Sequence, residues 1–303
     1  KSHLICYECK AVLPHEDKHK FLNKGKWVAE ERDRKIRGFY INQMYAMHLL
    51  PEVQATNFLK GKRDIAAEQE FFNSDIGVPH IVKGAKIDEK MITNCIKNYR
   101  KLDFNQRGIV TMGVDVGTKL HVEIDDWLVD ARSGYDVNSY SRARVLNELE
   151  VDNFEDLDRL MFDMGVHFCV IDSQPDRRKA QEFANRFPGR VRLCRYPNGV
   201  NGRSLTISPD EELFINVDRT SWLDLSLGRF KNGTIDLPMD ISEDYKQHIM
   251  AQVRKPEMDQ HGNTFARYIT PGNRHDHFGH ARNYAEIALP FALNQGVNTD
   301  IRS

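Results

Sequence analysis

Three aspartates occupy positions where carboxylates could bind a divalent metal ion. Asp115 ends an apolar run, in Gly-Val-Asp-Val-Gly, and Asp172 ends another, in Val-Ile-Asp-Ser. Asp276 lies between two histidines at the predicted start of the last helix. Carboxylates gathered from two strands and a helix repel one another unless a hard cation neutralises them. The pattern therefore predicts a metal site of the kind that hydrolyses phosphodiesters.

The last helix offers a further candidate beside Asp276. His280 lies four residues later, so the two side chains share one face of the helix. His280 could bind a metal, orient a water molecule or contact a phosphate. A simpler role is open to each of the three acids, because an aspartate after a strand or before a helix often caps the next turn.

A basic segment begins a few residues after Asp172. Lys and Arg dominate the charged residues between 173 and 203, and Arg177, Arg178 and Lys179 are consecutive. The chain has a formal net charge of −1, so any nucleic acid has to bind a local patch. Side chains of this type contact phosphates without regard to base sequence. We expect these three residues to bind DNA; the alternative is a solvated helix face.

Cys6 and Cys9 form a C-x-x-C pair, which is half of a common zinc site. His15 and His19 follow with H-x₃-H spacing, so a compact Cys₂His₂ site is one possibility, although the interval from Cys9 to His15 is short for it. The alternatives are a second C-x-x-C upstream of this sequence, or two thiols without zinc. The total of five cysteines is odd, which indicates a reducing compartment rather than a disulfide framework.

The bulk composition is that of an ordinary globular protein, with 40% hydrophobic and 29% charged residues in 303. No apolar run approaches the roughly 18 residues that a membrane span needs. The N-terminus has neither a Met nor a signal-peptide pattern. These features predict a fragment of a longer protein in the cytoplasm, without a membrane segment.

The order of predicted elements indicates two domains. Residues 1–105 form a smaller, irregular α+β segment, and residues 106–303 form an α/β domain. In the second domain, three strands in series are followed by strands that alternate with helices, which predicts a ribonuclease-H-like mixed β-sheet flanked by helices. The predicted strands are 109–116, 120–130, 140–149, 166–171, 191–196 and 214–217. The predicted helices are 154–164, 176–187, one through 222–230, and 276–289.

Several short motifs, in this order, resemble the large terminase subunit of tailed double-stranded DNA bacteriophages. The similarity is to the branch with a cysteine-knuckle segment between motor and nuclease. The motifs are Cys-Tyr-Glu-Cys at 6–9, Gly-Lys-Trp at 25–27, Gly-Phe-Tyr-Ile-Asn at 38–42, the segments 71–79 and 229–238, and the regions around Asp115, Asp172 and Asp276.

The resemblance implies the C-terminal nuclease portion of a DNA-packaging motor. That portion would cut double-stranded DNA concatemers in the host cytoplasm by a two-metal mechanism with Mg²⁺ or Mn²⁺, and Zn²⁺ could occupy an incomplete knuckle at Cys6 and Cys9. Implied partners are DNA, the procapsid portal, the small terminase subunit and further copies of the full-length motor. Related chains often carry an Asp where this one has His280, so the direct third ligand is open; we expect it to be Asp276.

The chain also departs from the family's motor half and leaves further functions open. It has no G-x-x-x-x-G-K-[ST] phosphate loop, so the ATPase site is not in this chain. Residues 113–119 also resemble the first phosphate motif of actin-like ATPases and sugar kinases, but the second phosphate motif of those folds is missing. A non-catalytic DNA- or portal-binding module and a sequence-specific nuclease of the resolvase type also remain open.

Overall fold

The computed structural model describes residues 2–29, 33, 35–61, 65–78, 86–103, 108–130, 136–200, 202–203, 205–208, 211–258, 264–293 and 297–298. The chain divides into two compact units, 1–85 with 255–267, and 86–254 with 268–303. The domain boundary predicted at residue 105 lies outside the described residues, as do Pro79 and Gly84 of the predicted linker. It stays a prediction, while the described residues 86–103 belong to the larger unit.

The smaller unit is built from short elements. A hairpin of β1 (Leu4–Ile5) and β2 (Val12–Leu13) is followed by α1 (Lys18–Leu22), α2 (Pro51–Gly61) and α3 (Ile65–Glu70). Helix α3 continues as a π-helical segment, Phe71–Ile76, which ends where Gly77 adopts a positive φ of 74°. The helical spacing of residues 51–75 is thus confirmed.

The larger unit contains a wide mixed sheet. Its strands are β3 (Ile109–Val116), β4 (Leu120–Val129), β5 (Ser141–Val151), β6 (Phe168–Asp172), β7 (Val191–Arg195), β8 (Leu205–Ser208), β9 (Glu211–Asn216), β10 (Ile235–Asp236) and β13 (Val297–Asn298). Strands β11 (Val253–Met258) and β12 (Thr264–Ile269) form a separate pair. The larger unit's helices are α4 (Glu89–Cys95), α5 (Phe154–Asp163), α6 (Arg177–Arg186), α7 (Arg219–Asn232), α8 (Glu243–Ala251) and α9 (His277–Ala292).

The strand order confirms the ribonuclease-H-like prediction. Within the described residues the sheet runs β10-β5-β4-β3-β6-β7-β9-β8-β13. Strands β3, β4 and β5 pair antiparallel in series, and β6 and β7 then add parallel on the other side of β3. The sequence patterns did not predict α8, β8, β10 or the β11–β12 pair. Among the described residues, no helix combines the length and apolar character that crossing a bilayer requires.

Helices cover both faces of the sheet, and alternation along β3 decides which side chains meet which helices. Val110, Met112 and Val114 point to one face and pack with residues of α5 and α6. The intervening residues point to the opposite face, where Thr111 donates a hydrogen bond to the carbonyl of Ala285 in α9 at 2.9 Å. Asp115 follows the same alternation and therefore faces α9.

A glycine sets the distance between α9 and the sheet. A Cβ atom at Gly113 would collide with the backbone of Ala281 and Ala285. The helix backbone therefore rests directly on β3, two residues before Asp115. This close approach is what brings the first turns of α9 over the carboxylate.

Candidate active site

A row of polar side chains crosses the central strands at one level. Asp115 on β3 is the cross-strand partner of His121 on β4, and His121 is the partner of Glu150 on β5. Directly opposed residues lie on the same face of a sheet. All three therefore face α9, and the Nε2 atom of His121 lies 3.2 Å from Oε1 of Glu150.

Asp172 extends the row on the other side of β3. Strand β6 runs parallel to β3, and Val114 pairs with Ile171, so Asp115 and Asp172 are the next residues of the two strands. The hydroxyl of Tyr284 in α9 donates to one oxygen of Asp172 at 2.9 Å, and the backbone N–H of Gln174 donates to the other at 3.0 Å. Burial raises the pKa of Asp172, and the charge of Asp115 adds to this shift.

The first turn of α9 contributes His277 to Asp115. The Nδ1 atom of His277 lies 2.9 Å from Oδ2 of Asp115, and this contact raises the pKa of the imidazole. The ring stacks on His121, with centroids 4.5 Å apart. Within the described residues, these three side chains are the one group of three whose metal-binding atoms all lie within 4.8 Å of one another.

Asp276 and His280 form a second set of contacts at the start of α9. Oδ2 of Asp276 accepts from the Thr270 hydroxyl at 2.6 Å and from the Gln252 amide at 3.3 Å, and it lies 3.4 Å from Nε2 of His280. Burial opposes ionisation, but the contacts with His280, Thr270 and Gln252 hold the pKa of Asp276 below its usual range. Arg219 donates to Nε2 of His280 at 2.9 Å.

The sequence analysis did not single out His121, Glu150 or His277 as site residues. A signal for His121 was present, because two strands joined by the turn at 117–119 can pair as a hairpin that sets residue 121 opposite 115. His277 is adjacent to Asp276 in sequence, but only the orientation of α9 decides which of the two meets Asp115. Whether Asp276 or His280 is a direct metal ligand stays a prediction.

The predicted DNA-binding residues lie at the start of α6, a few residues beyond Asp172. The side chains of Arg177, Arg178 and Lys179 are exposed. Arg178 pairs with Glu182 at 2.8 Å, and the side-chain oxygen of Asp176 caps the helix by accepting from the Lys179 N–H at 3.2 Å. Asp176 thus lies at the positive end of the helix, as its position in the sequence indicated.

The cysteine pair lies in the hairpin of the smaller unit. Cys9 hydrogen-bonds to the Cys6 thiol and lowers its pKa, so the two sulfur-bearing side chains are neighbours. Among the described residues, no third ligand joins them within the distance that a three-ligand metal site requires. His15 and His19 therefore do not complete a Cys₂His₂ site in this structure, and zinc binding at the pair stays a prediction.

Comparisons with known proteins agree with the motifs. The sequence matches the family described as terminase large subunit gpA, endonuclease domain, over residues 36–195. This range includes Asp115, His121, Glu150 and Asp172 and ends before α9. A comparison with curated protein sequences gives no match.

Solved structures of phage terminases are similar at a low level. The large terminase nuclease from thermophilic phage G20c with bound magnesium is 15% identical, covers 62% of this chain and 92% of its own, and has a TM-score of 0.35. For the Thermus phage P74-26 large terminase nuclease domain the values are 14%, 64%, 91% and 0.38. For the large terminase from another thermophilic bacteriophage they are 9%, 82%, 54% and 0.39.

Likeness at this level does not define individual site residues. The match to the family does not depend on it, because that match spans more than half of the sequence. The chain belongs to the family of terminase large subunit gpA endonuclease domains.

Proposed function

We propose that this chain is an endonuclease that cuts double-stranded DNA with the help of divalent metal ions. The observation that supports this most is the placement of Asp115 and Asp172 as next residues on adjacent parallel strands of the sheet. Both carboxylates lie at the end of their strand, and both receive contacts from α9. In a terminase endonuclease domain, phosphodiester cleavage is the reaction that such a pair serves.

The buried carboxylate pair fits a divalent cation. Burial and the charge of Asp115 both raise the pKa of Asp172, so holding both groups ionised is unfavourable without a compensating positive charge. We propose Asp115, Asp172 and Asp276 as the residues that hold Mg²⁺ or Mn²⁺, in a two-metal arrangement. When bound, these ions supply positive charge to the phosphate and lower the pKa of the attacking water.

The protein's own groups orient the carboxylates. Tyr284 and the backbone of Gln174 each occupy one oxygen of Asp172, which fixes the carboxylate plane and leaves the remaining lone pairs available. His277 does the same for one oxygen of Asp115. Positions fixed in this way reduce the reorganisation that the reaction requires.

The residues next to the pair are suited to contact the DNA backbone. His280 and Arg219, joined at 2.9 Å, provide an imidazole and a guanidinium beside Asp276, and we propose His280 as a catalytic or phosphate-contacting group. We propose that exposed Arg177, Arg178 and Lys179 bind phosphates along the duplex. Binding through such contacts weakens steeply with salt.

The biological setting is part of the same proposal. We propose that the domain 106–303 cuts concatemers during genome packaging and works with the portal, the small terminase subunit and other copies of the motor in the host cytoplasm. We further propose that Cys6 and Cys9 bind zinc where the missing ligands are supplied from outside this sequence.

The test is nicking and linearisation of supercoiled plasmid with Mg²⁺, Mn²⁺ or EDTA. Asp115→Asn and Asp172→Asn are nearly isosteric and should lower cutting by at least about 100-fold, since each removes a charge that the metal needs. Asp88→Asn is the matched control, because Asp88 caps α4 and Asn caps about equally well. Asp276→Asn and His280→Ala then identify which of those two residues the reaction requires.

Two results would overturn the proposal. One is cutting by Asp115→Asn and Asp172→Asn at the wild-type rate. The other is a wild type that neither cuts with Mn²⁺ nor gains melting temperature on adding Mn²⁺ relative to these variants. In the second case the non-catalytic DNA-binding function would be tested next, by measuring plasmid binding as a function of salt.

A further inference from the structure

A buried nitrogen of His121 has no hydrogen-bond partner. His121 is only 7% exposed, its Nε2 atom lies 3.2 Å from Glu150, and its Nδ1 atom is unpaired. A buried polar atom without a partner costs stability, so an unpaired imidazole nitrogen next to a carboxylate and a second imidazole indicates a ligand. We propose that Asp115, His121 and His277 form a second cation position that selects a borderline transition metal such as Zn²⁺, Co²⁺ or Ni²⁺ over Mg²⁺.

The spacing of the three side chains suits one ion. Ligand atoms about 2.1 Å from a metal are about 3.0 Å apart along an octahedral edge and about 3.4 Å apart along a tetrahedral one. His277 Nδ1 and Asp115 Oδ2 are 2.9 Å apart. All three ligand atoms lie within 4.8 Å of one another, so a small rotation of the imidazoles closes the set.

Glu150 sets the tautomer of His121 that this role needs. A carboxylate 3.2 Å from Nε2 favours the proton on that nitrogen and leaves the Nδ1 lone pair for the metal. The arrangement is the carboxylate–histidine–metal contact in which an outer carboxylate orients the ring and raises its basicity. Cross-strand pairing holds Glu150, His121 and Asp115 in one row, so the ligands are positioned before an ion arrives.

The ligand types decide the metal. Imidazole nitrogens suit Zn²⁺, Co²⁺ and Ni²⁺, whereas Mg²⁺ prefers oxygen ligands and water. Two imidazoles with one carboxylate therefore disfavour Mg²⁺. The proposal goes beyond the nuclease function, because this position would bind metal whether or not the chain cuts DNA. Asp115 is common to both sites.

Other histidines nearby provide controls of the same residue type. His275 is exposed and its ring lies 5.5 Å from that of His277, but it is not part of the three-ligand group. His275→Ala therefore removes a neighbouring imidazole without removing a proposed ligand. Asp172→Asn removes a carboxylate of the nuclease site while leaving all three proposed ligands.

The experiment is a titration of the metal-free chain with Co²⁺, followed by the visible absorption that cobalt acquires with nitrogen ligands. We expect one strong site in the wild type, in His275→Ala and in Asp172→Asn, and no displacement by a hundredfold excess of Mg²⁺. His121→Ala should lose the absorption. Glu150→Gln keeps every ligand and should weaken binding roughly 10–100-fold, as for other outer carboxylates.

Each other outcome overturns the proposal. These are no cobalt absorption in the wild type, retention in His121→Ala, loss in His275→Ala, or easy displacement by Mg²⁺. If His121→Ala fails to fold, as judged by circular dichroism without metal, Glu150→Gln decides: unchanged affinity refutes the site. Cobalt binding with no plasmid cutting would refute the nuclease function and leave this site standing.

Discussion

Arg282 is the perturbation whose effect the structure predicts most sharply. Its fully buried guanidinium contacts Glu123 at 2.8 Å, Asp125, and Glu286 at 2.5 Å. Glu286 also pairs with Arg229 at 2.5 Å. These residues join α9 to β4 and α7, directly beneath the turns of α9 that carry the site.

The charges of this cluster can be counted. Burial, together with the charge of Asp125, raises the pKa of Glu123 well above its usual range, so this carboxyl is neutral near pH 7. Burial raises the pKa of Asp125 to about 6. Burial also opposes ionisation of Glu286, but Arg229 and Arg282 hold its pKa below the usual range. Two guanidiniums thus balance two carboxylates.

Arg282→Met leaves one buried negative charge uncompensated. Removing one partner of a buried ion pair costs about 3–5 kcal/mol, a large part of the 5–15 kcal/mol that keeps a typical domain folded. Arg282→Met with Asp125→Asn removes one charge of each sign, and we expect it to recover at least about 2 kcal/mol. Arg159→Met is the control: Arg159 is 76% exposed and pairs with Asp156, so its loss should cost less than about 1 kcal/mol.

The assay is urea unfolding followed by circular dichroism, where Arg282→Met should lower the midpoint by about 1 M or more. Without the guanidinium, the folded pKa of Asp125 rises further, so the folded variant binds more protons than the unfolded chain above an ordinary Asp pKa. Its deficit relative to wild type should therefore shrink as pH falls from 7 towards 5. A loss below about 1 kcal/mol, or no recovery in the double variant, would refute the charge count.

Three further predictions concern the elements around the site. Gly113→Ala forces a methyl group into the backbone of α9 and should cost at least about 1–3 kcal/mol in thermal unfolding, whereas Gly228→Ala, at a helical position with open space, should be neutral or stabilising; equal effects would refute the close approach. Burial, followed by neighbouring histidines, lowers the pKa of His248 to about 4, so the unfolded chain binds more protons between about 6.5 and 4. Stability without metal should fall as pH drops through that window, less so in His248→Gln; parallel pH profiles would contradict this. Tyr284→Phe removes the donor to Asp172 and should reduce plasmid cutting about tenfold or more without changing the cobalt absorption; unchanged cutting would show that this hydrogen bond does not position the carboxylate.

Local pattern was sufficient for most of the sheet. The apolar run at 109–116 and the alternating run from 120 each formed the predicted strand, because a buried strand needs a short apolar or period-two segment whatever it packs against. The helix at 154–163 followed equally from its apolar spacing. Short or polar elements, such as β10 and α8, carry too weak a period to be recognised, and neighbours in the fold stabilise them.

The pairing of Asp115 with Asp172 could also be anticipated, because each ends an apolar strand and the carboxyl ends of parallel strands meet at one edge. The rest of the site depends on distances that no local pattern encodes. The register of β4 and β5 brings His121 and Glu150 into line with Asp115. The rotation of α9, set by its contact with Gly113 and by the buried Arg282 cluster, turns His277 towards Asp115 and leaves Asp276 with Thr270 and Gln252. Residue types and strand order thus followed from the sequence itself, whereas the choice between adjacent residues of one helix turn was made by packing between elements far apart in the chain.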